Sequence, residues 1–208
     1  MKKGYVFLLF LSLSAIVFSP ALTSFFYWDD FPLLCMSRYI GNPLSFFTEN
    51  YFPGGYNYRP LGMLSYWLSY QLFGLSPILH NLLNSVLHVT NAFLCYVFLK
   101  ELFGTKHFIL IFFSSLLFLI HPVAISTSLW LGDRFDLLAT MFILSTLFSF
   151  LRFVSTHQRK FFFYSLISTF LGILSKEISY ILPLLITLTL YLREAMFMNS
   201  SKIWTSKS

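Results

Sequence analysis

The chain has 208 residues, of which 57% are hydrophobic, 21% aromatic and only 11% charged, with a mean hydropathy of +0.72. One small water-soluble core cannot enclose that much apolar surface, so lipid is the expected solvent. The net charge of +6 does not indicate nucleic acid, because the basic residues are scattered between apolar runs instead of forming a stripe.

Lys2 and Lys3 precede an apolar run from Tyr5 to Phe18 that also fits the start of a secretory signal, with a weak cleavage site near Ala21 and Thr23. Apolar character continues through Phe26, giving about 20 residues, enough to cross the hydrocarbon core. An uncleaved anchor over 4–26 is therefore expected, and either reading puts residue 27 outside. Further spans are expected at 78–99, 107–128, 135–151, 161–175 and 178–192, making residues 1–208 one all-α transmembrane helix bundle of about six spans.

Charge orients this bundle, since Lys and Arg are held preferentially in cytoplasmic loops. Lys2, Lys3, Lys100, Lys106, Arg152, Arg159, Lys160, Arg193, Lys202 and Lys207 fall on one side; Arg38, Arg59, Arg134 and Lys176 fall on the other, together with Asp29, Asp30, Glu49, Asp133, Asp136 and Glu177. Both termini are expected in the cytoplasm, and a plasma membrane of the bacterial inner-membrane type is the expected location. The last two arms are about 15 residues each, roughly 22 Å of helix against a core of roughly 30 Å. Their Lys176–Glu177 tip is expected below the membrane surface, in a cavity walled by the other helices.

Residues 27–77 form the expected outer loop, divided by turn or helix-start signals at Pro32, Asn42–Pro43, Pro53–Gly54–Gly55 and Arg59–Pro60. Leu61 to Phe73 is apolar but too short to span, so it reads as an interfacial helix with Tyr66, Trp67 and Tyr70 at headgroup depth. The two cysteines, Cys35 and Cys95, suggest neither a disulfide framework nor a metal motif.

Trp28–Asp29–Asp30 follows the first span, where adjacent carboxylates repel one another and resist desolvation. Either one can act as general base toward a hydroxyl or help hold a metal, and the pair equally reads as the acidic end of a helix in water. Arg59, Arg134 and Lys176 come from three loops on one face and suit an anionic headgroup; structural ion pairs of Arg134 with Asp133 or Asp136, and of Lys176 with Glu177, are the alternative. Gly132–Asp133–Arg134–Phe135–Asp136 carries more charge than a connecting turn needs. Along the second span, His80, Asn84, His88 and Asn91 recur at helical spacing, a polar stripe expected to bond to other helices or face a cavity. No metal site is expected of its two histidines, and His121–Pro122 reads as a kinked helix end.

In their order, these motifs resemble the N-terminal half of a polytopic glycosyltransferase of the GT-C superfamily. The likeness is to protein O-mannosyltransferases and aminoarabinose transferases, and more closely to transmembrane O-mannosyltransferases that carry tetratricopeptide repeats. It rests on Trp28–Asp29–Asp30, Tyr58–Arg59–Pro60–Leu61, Leu72–Phe73–Gly74, His80–Asn81, His88, His121–Pro122, residues 132–139 and Ser175–Lys176–Glu177. The resemblance implies transfer of a sugar from a polyprenyl-phosphate donor, on the outer face, to a protein, lipid or glycan hydroxyl. Asp29 or Asp30 is the implied catalytic carboxylate and Arg59, Arg134 and Lys176 the phosphate-binding cations. His80, Asn84, His88, Asp133, Asp136 and Glu177 are expected to support them. A divalent metal is compatible with such chemistry and not required by it. Family members have more spans and often a soluble C-terminal domain, so a missing C-terminal half or partner subunit is an expected partner, beside the donor and the bilayer. A small transporter or flippase subunit, or an inactive assembly partner, is the alternative from another class.

Overall fold

Apolar helices of this length pair by the spacing of their side-chain contacts, and the contacts in a computed structural model define the arrangement. The structure describes residues 3–22, 24–49, 57–124 and 130–205. The expected turn at Pro53–Gly54–Gly55, the end of the third expected span and the residues Lys2, Thr23 and Lys207 lie outside them. Among the described residues the chain is helical with no strand. The α-helices are α1 (Lys3–Val17), α2 (Ser19–Leu22), α3 (Asp30–Tyr39), α4 (Pro60–Phe73), α5 (Pro77–Phe103), α6 (Phe108–Ile120), α7 (Arg134–Thr156), α8 (Arg159–Ser175) and α9 (Leu182–Thr205). Short 3-10 turns occupy Pro43–Phe47, Thr105–His107, Leu131–Asp133 and Glu177–Ile181.

The contacts fix direction. Thr146 meets Thr169 and Phe153 meets Phe162, so α7 and α8 form an antiparallel hairpin, turned through His157 in the left-handed region at φ 54°. Asn84 bonds Arg134, Asn91 bonds Leu137 and Glu101 bonds Arg152, so contacts advance together along both helices and α5 and α7 are parallel. Phe7 against Phe93 and Phe18 against His88 set α1 antiparallel to α5. Arg193 reaches Leu151 and Ser155, laying α9 beside α7.

Among the described residues three stretches, Pro77–Phe103, Leu131–Thr156 and Glu177–Met196, are long and apolar enough to cross a membrane, and Lys3–Val17 and Thr105–Ile120 are shorter apolar helices. The sequence breaks account for the shortening. The first expected span is interrupted after Val17, with Pro20 restarting the chain in α2, and α6 stops at His121, before Pro122, as a proline-bounded helix should. Val6, Phe10, Val89, Ala92, Tyr96, Ile111 and Leu119 form one core among α1, α5 and α6.

A second core lies at the opposite end of the bundle from Lys100 and Arg152. Phe26, Leu33, Leu34, Phe46, Met63, Tyr66, Leu131 and Phe135 bury one another there, so α3, the Pro43–Phe47 turn and α4 are packed with the start of α7. This refines one expectation: Tyr66 is wholly buried, so its ring meets protein and not lipid headgroups. α4 seats so closely on α7 that a Cβ at Gly62 would lie 2.1 Å from the Phe135 ring, and its Tyr66 face is thereby turned into protein.

At the centre of this end the Arg134 side chain is completely buried. Its Nε donates to Asn84 Oδ1 at 2.9 Å, its Nη1 to Ser69 Oγ at 2.7 Å and Ser65 O at 3.4 Å, and its Nη2 faces His80 Nδ1 at 3.4 Å. The Tyr66 ring covers the guanidinium at 4.6 Å. His80 Nε2 donates to the Gly74 carbonyl at 2.9 Å, so in the neutral ring Nδ1 is the acceptor that Arg134 requires.

Arg134→Met should leave Asn84, Ser69 and His80 without their partner, each unsatisfied buried group costing about 1–3 kcal/mol. A large fall in the thermal unfolding midpoint in detergent is expected, with a smaller fall for Arg134→Lys; an unchanged midpoint in the methionine variant would refute the role of this node. For orientation, cysteines introduced at Ser45 and at Gln158 in a Cys35→Ser background should react oppositely with an impermeant maleimide. Ser45→Cys should be labelled from outside the cell and Gln158→Cys only after permeabilisation.

Candidate functional site

The turn after α2 separates the two adjacent carboxylates. Trp28 takes φ 46°, a left-handed conformation disfavoured by about 1–2 kcal/mol for an L-residue, and Tyr27 stacks on its ring at 5.7 Å. Asp30 holds this turn: its carboxylate accepts from Tyr27 N at 2.8 Å and from Gly132 N at 3.0 Å. The side chain is 1% exposed. Burial raises the Asp30 carboxyl from its ordinary value, and the amides of Tyr27 and Gly132 oppose the rise. Asp29, one residue earlier, is exposed.

The turn that receives Asp30 is fixed from three sides. Asn84 Nδ2 donates to Trp130 O at 3.2 Å, the Tyr66 hydroxyl donates to Leu131 O, and Arg134 plugs into α4 and α5 just beyond. Burial holds the Tyr66 hydroxyl above its ordinary pKa, as a donor. Gly132 is needed for close approach, since a Cβ there would lie 2.8 Å from the Trp130 ring.

On this platform sits a cleft of about 380 Å³ whose lining includes Asp29, Arg59, Asp133, Asp136 and Lys176. Arg59 precedes Pro60 at the start of α4. Its Nε and Nη2 bond the Glu177 carboxylate at 2.8–3.0 Å, and the Phe135 ring lies 5.2 Å from its guanidinium carbon. Lys176, in the extended link between α8 and the Glu177–Ile181 turn, bonds Asp136. The two ion pairs therefore cross: Glu177 turns to Arg59 and Lys176 to Asp136, not to each other. Arg59 keeps its Nη1 donors uncommitted among the described residues, and an ammonium has three donors, of which Asp136 takes one. Two cations thus remain able to bond an anionic oxygen while fixed in position by carboxylates.

The residues singled out from the sequence divide into two groups. Asp29, Arg59, Asp133, Asp136 and Lys176 share the cleft, with Glu177 bonded to Arg59 beside it. Arg134, His80, Asn84 and Asp30 lie buried behind the cleft wall; Arg134 is enclosed by neutral partners and bonds neither Asp133 nor Asp136. His88 lies deeper along α5, its Nε2 donating to Leu119 O at 3.1 Å. The polar stripe thus bonds to neighbouring helices and the turn before α7. Sequence reasoning missed the other half of the Arg134 cradle, Ser65, Tyr66 and Ser69. Ser65 and Ser69 are four apart on an apolar helix, the same signal that exposed the stripe on α5. Among the described residues no three His, Cys, Asp or Glu side chains converge as metal ligands.

No family model matches the chain, and no solved structure matches it. Curated relatives do. The chain is 35% identical over 96 residues to the mouse protein O-mannosyl-transferase TMTC3, which is 45% of this chain and 10% of that protein. It is 33% identical over 92 residues to a protein O-mannosyl-transferase of Caenorhabditis elegans, covering 44% and 13%, and 32% identical over 100 residues to the human protein O-mannosyl-transferase TMTC2, covering 48% and 12%. The matched segment is therefore about a tenth of each relative, less than the half that the motifs suggested, and these relatives are animal and not bacterial proteins. The chain is a membrane helix bundle that resembles, over nearly half its length, proteins named as O-mannosyl-transferases.

Proposed function

We propose that the cleft is the transfer site of a membrane glycosyltransferase, alone or with further segments or a partner subunit. The donor in this reading is a mannose-like sugar on a polyprenyl phosphate, used on the outer face of the membrane. One observation carries it: an exposed carboxylate, Asp29, shares a cleft with two cations, Arg59 and Lys176, that come from distant parts of the chain.

The chemistry divides among these groups. The oxygen of an acceptor hydroxyl forms a bond to the anomeric carbon, the bond from that carbon to the phosphate oxygen breaks, and the polyprenyl phosphate leaves with the electron pair. Asp29 takes the hydroxyl proton and, being anionic, favours the positive charge that develops on the sugar. Arg59 and Lys176 bond the phosphate as its charge grows, the planar fork of Arg59 and the compact ammonium of Lys176 being suited to different oxygens. Asp30 and Arg134 act as positioning residues through the turn at 130–133.

Asp29→Asn should lower transfer from a radiolabelled polyprenyl-phosphate sugar by about 10²–10⁴-fold without altering membrane insertion or the unfolding midpoint. Asp30→Asn should lower the midpoint, because an amide offers only one oxygen to two backbone donors, at a cost of about 1 kcal/mol for the lost bond. Full activity in Asp29→Asn would overturn the assignment and favour a transporter. Arg59→Ala should weaken donor use about 10–100-fold, the worth of a hydrogen bond to a charged group. Glu177→Gln keeps the cation while weakening the ion pair, so an equal loss there would make the effect one of local structure.

A further inference from the structure

A second cavity, of about 560 Å³, lies between α5, α6 and α7 and shares Asp133 and Asp136 with the cleft. We propose that it binds a neutral membrane lipid with a hydroxyl head, whose head lies against these two carboxylates and whose chain runs out along α6. The volume suits a small-molecule site. What decides the class of ligand is the contrast between its walls.

The outer wall is apolar and open. Leu117 and Val123 are 61% and 66% exposed and Phe118 is 37% exposed, and they belong to or follow an apolar helix that faces lipid in a bilayer. An acyl chain can therefore enter sideways, without crossing the polar cleft. The inner wall carries polar groups, donors and acceptors both. Asn91 is wholly buried; its Nδ2 donates to Leu137 O at 2.9 Å, while its Oδ1 has no partner among the described residues. His88 donates from Nε2 to Leu119 O, which leaves Nδ1 of the neutral ring as an acceptor. Asp133 and Asp136 add carboxylates, the second already bonded to Lys176, and Ser114 and Thr140 add hydroxyls; among the described residues neither lysine nor arginine lines this cavity.

Two carboxylates with no lysine or arginine beside them in the lining favour a neutral hydroxyl, which donates to them and accepts from the serine and threonine, over a phosphate, whose charge they oppose. The cations that suit phosphate line the other cavity. Charge thus sorts two ligands into two spaces that meet at Asp133 and Asp136, with a neutral hydroxyl on one side and an anionic group on the other. That the bound lipid serves as acceptor rests on the transfer reading above; its binding does not.

The test uses the chain in phosphatidylcholine nanodiscs with two photoactivatable probes, a diacylglycerol and a phosphatidate carrying the same diazirine chains, and no sugar donor. Crosslinks mapped by mass spectrometry should fall on residues 114–124 and 137–140, and diacylglycerol should exceed phosphatidate by about fivefold or more, the worth of one hydrogen bond. Ser114→Trp, an exposed position that lines the cavity, should reduce diacylglycerol labelling by a similar factor without the folding risk of changing Asn91. Equal or stronger labelling by phosphatidate would mean that the space takes an anionic lipid, such as the donor's own chain, and would overturn the proposal; so would labelling unchanged by Ser114→Trp. Because no donor is present, failure here leaves the transfer reading standing, and inactive cleft variants leave the labelling result standing.

Discussion

A guanidinium removed from water is tolerated only where nearly every donor is met, and Arg134 imposes that condition on this chain. It is completely buried, and its partners are neutral: an asparagine, a serine, a backbone carbonyl, a histidine nitrogen and the face of a tyrosine. These come from α4, the start of α5 and the start of α7, so the cation can be satisfied only when all three are docked. Isolated burial of such a charge would cost several kcal/mol or more. The node therefore makes assembly of this end cooperative, and the cleft is built on its outer side.

The remaining charge follows the same geometry. Helices that alternate in direction carry their charged residues to one of two ends, and each end closes with ion pairs between segments far apart in sequence. Arg152 with Glu101 joins α7 to α5 at one end; Arg59 with Glu177 and Lys176 with Asp136 join the start of α4, the α8 link and α7 at the other. Half-exposed pairs of this kind contribute about 1 kcal/mol or less to stability. Their larger effect is positional, since two cations that would otherwise sample many rotamers are held over one space.

How much of this was legible depended on whether a residue's partner was local. The apolar runs, the helix start at Pro60 and the helix end at Gly74 are statements about neighbouring residues, and they were readable to within a few positions. The polar stripe on α5 was readable as a face, because helical periodicity puts His80, Asn84, His88 and Asn91 on one side. What each member of the stripe touches was not, because, apart from the Gly74 carbonyl that His80 meets, its partners lie 31 to 54 residues away. Arg134 is the clearest case: its charge suggests a ligand, and only the convergence of Ser65, Ser69, His80 and Asn84 reveals a cation with nearly every donor met. Tyr66 was likewise expected at the membrane surface because nothing local announces that Phe135 packs against Gly62.

Asp29 and Asp30 carry the point furthest. They are the same residue type, adjacent, and equivalent by any reading of composition or spacing. A single left-handed residue, Trp28, precedes them, and the carboxylate of Asp30 folds back to Tyr27 N while also reaching Gly132 N. That leaves Asp29 as the one directed to solvent beside the cations. The division is unsymmetrical in energy: a carboxylate that accepts two backbone hydrogen bonds in a buried turn is committed to the fold, whereas one at the rim of a cleft keeps its lone pairs for a ligand. The adjacency that looks like electrostatic frustration in sequence becomes, in three dimensions, a brace and an exposed carboxylate separated by the direction of one turn.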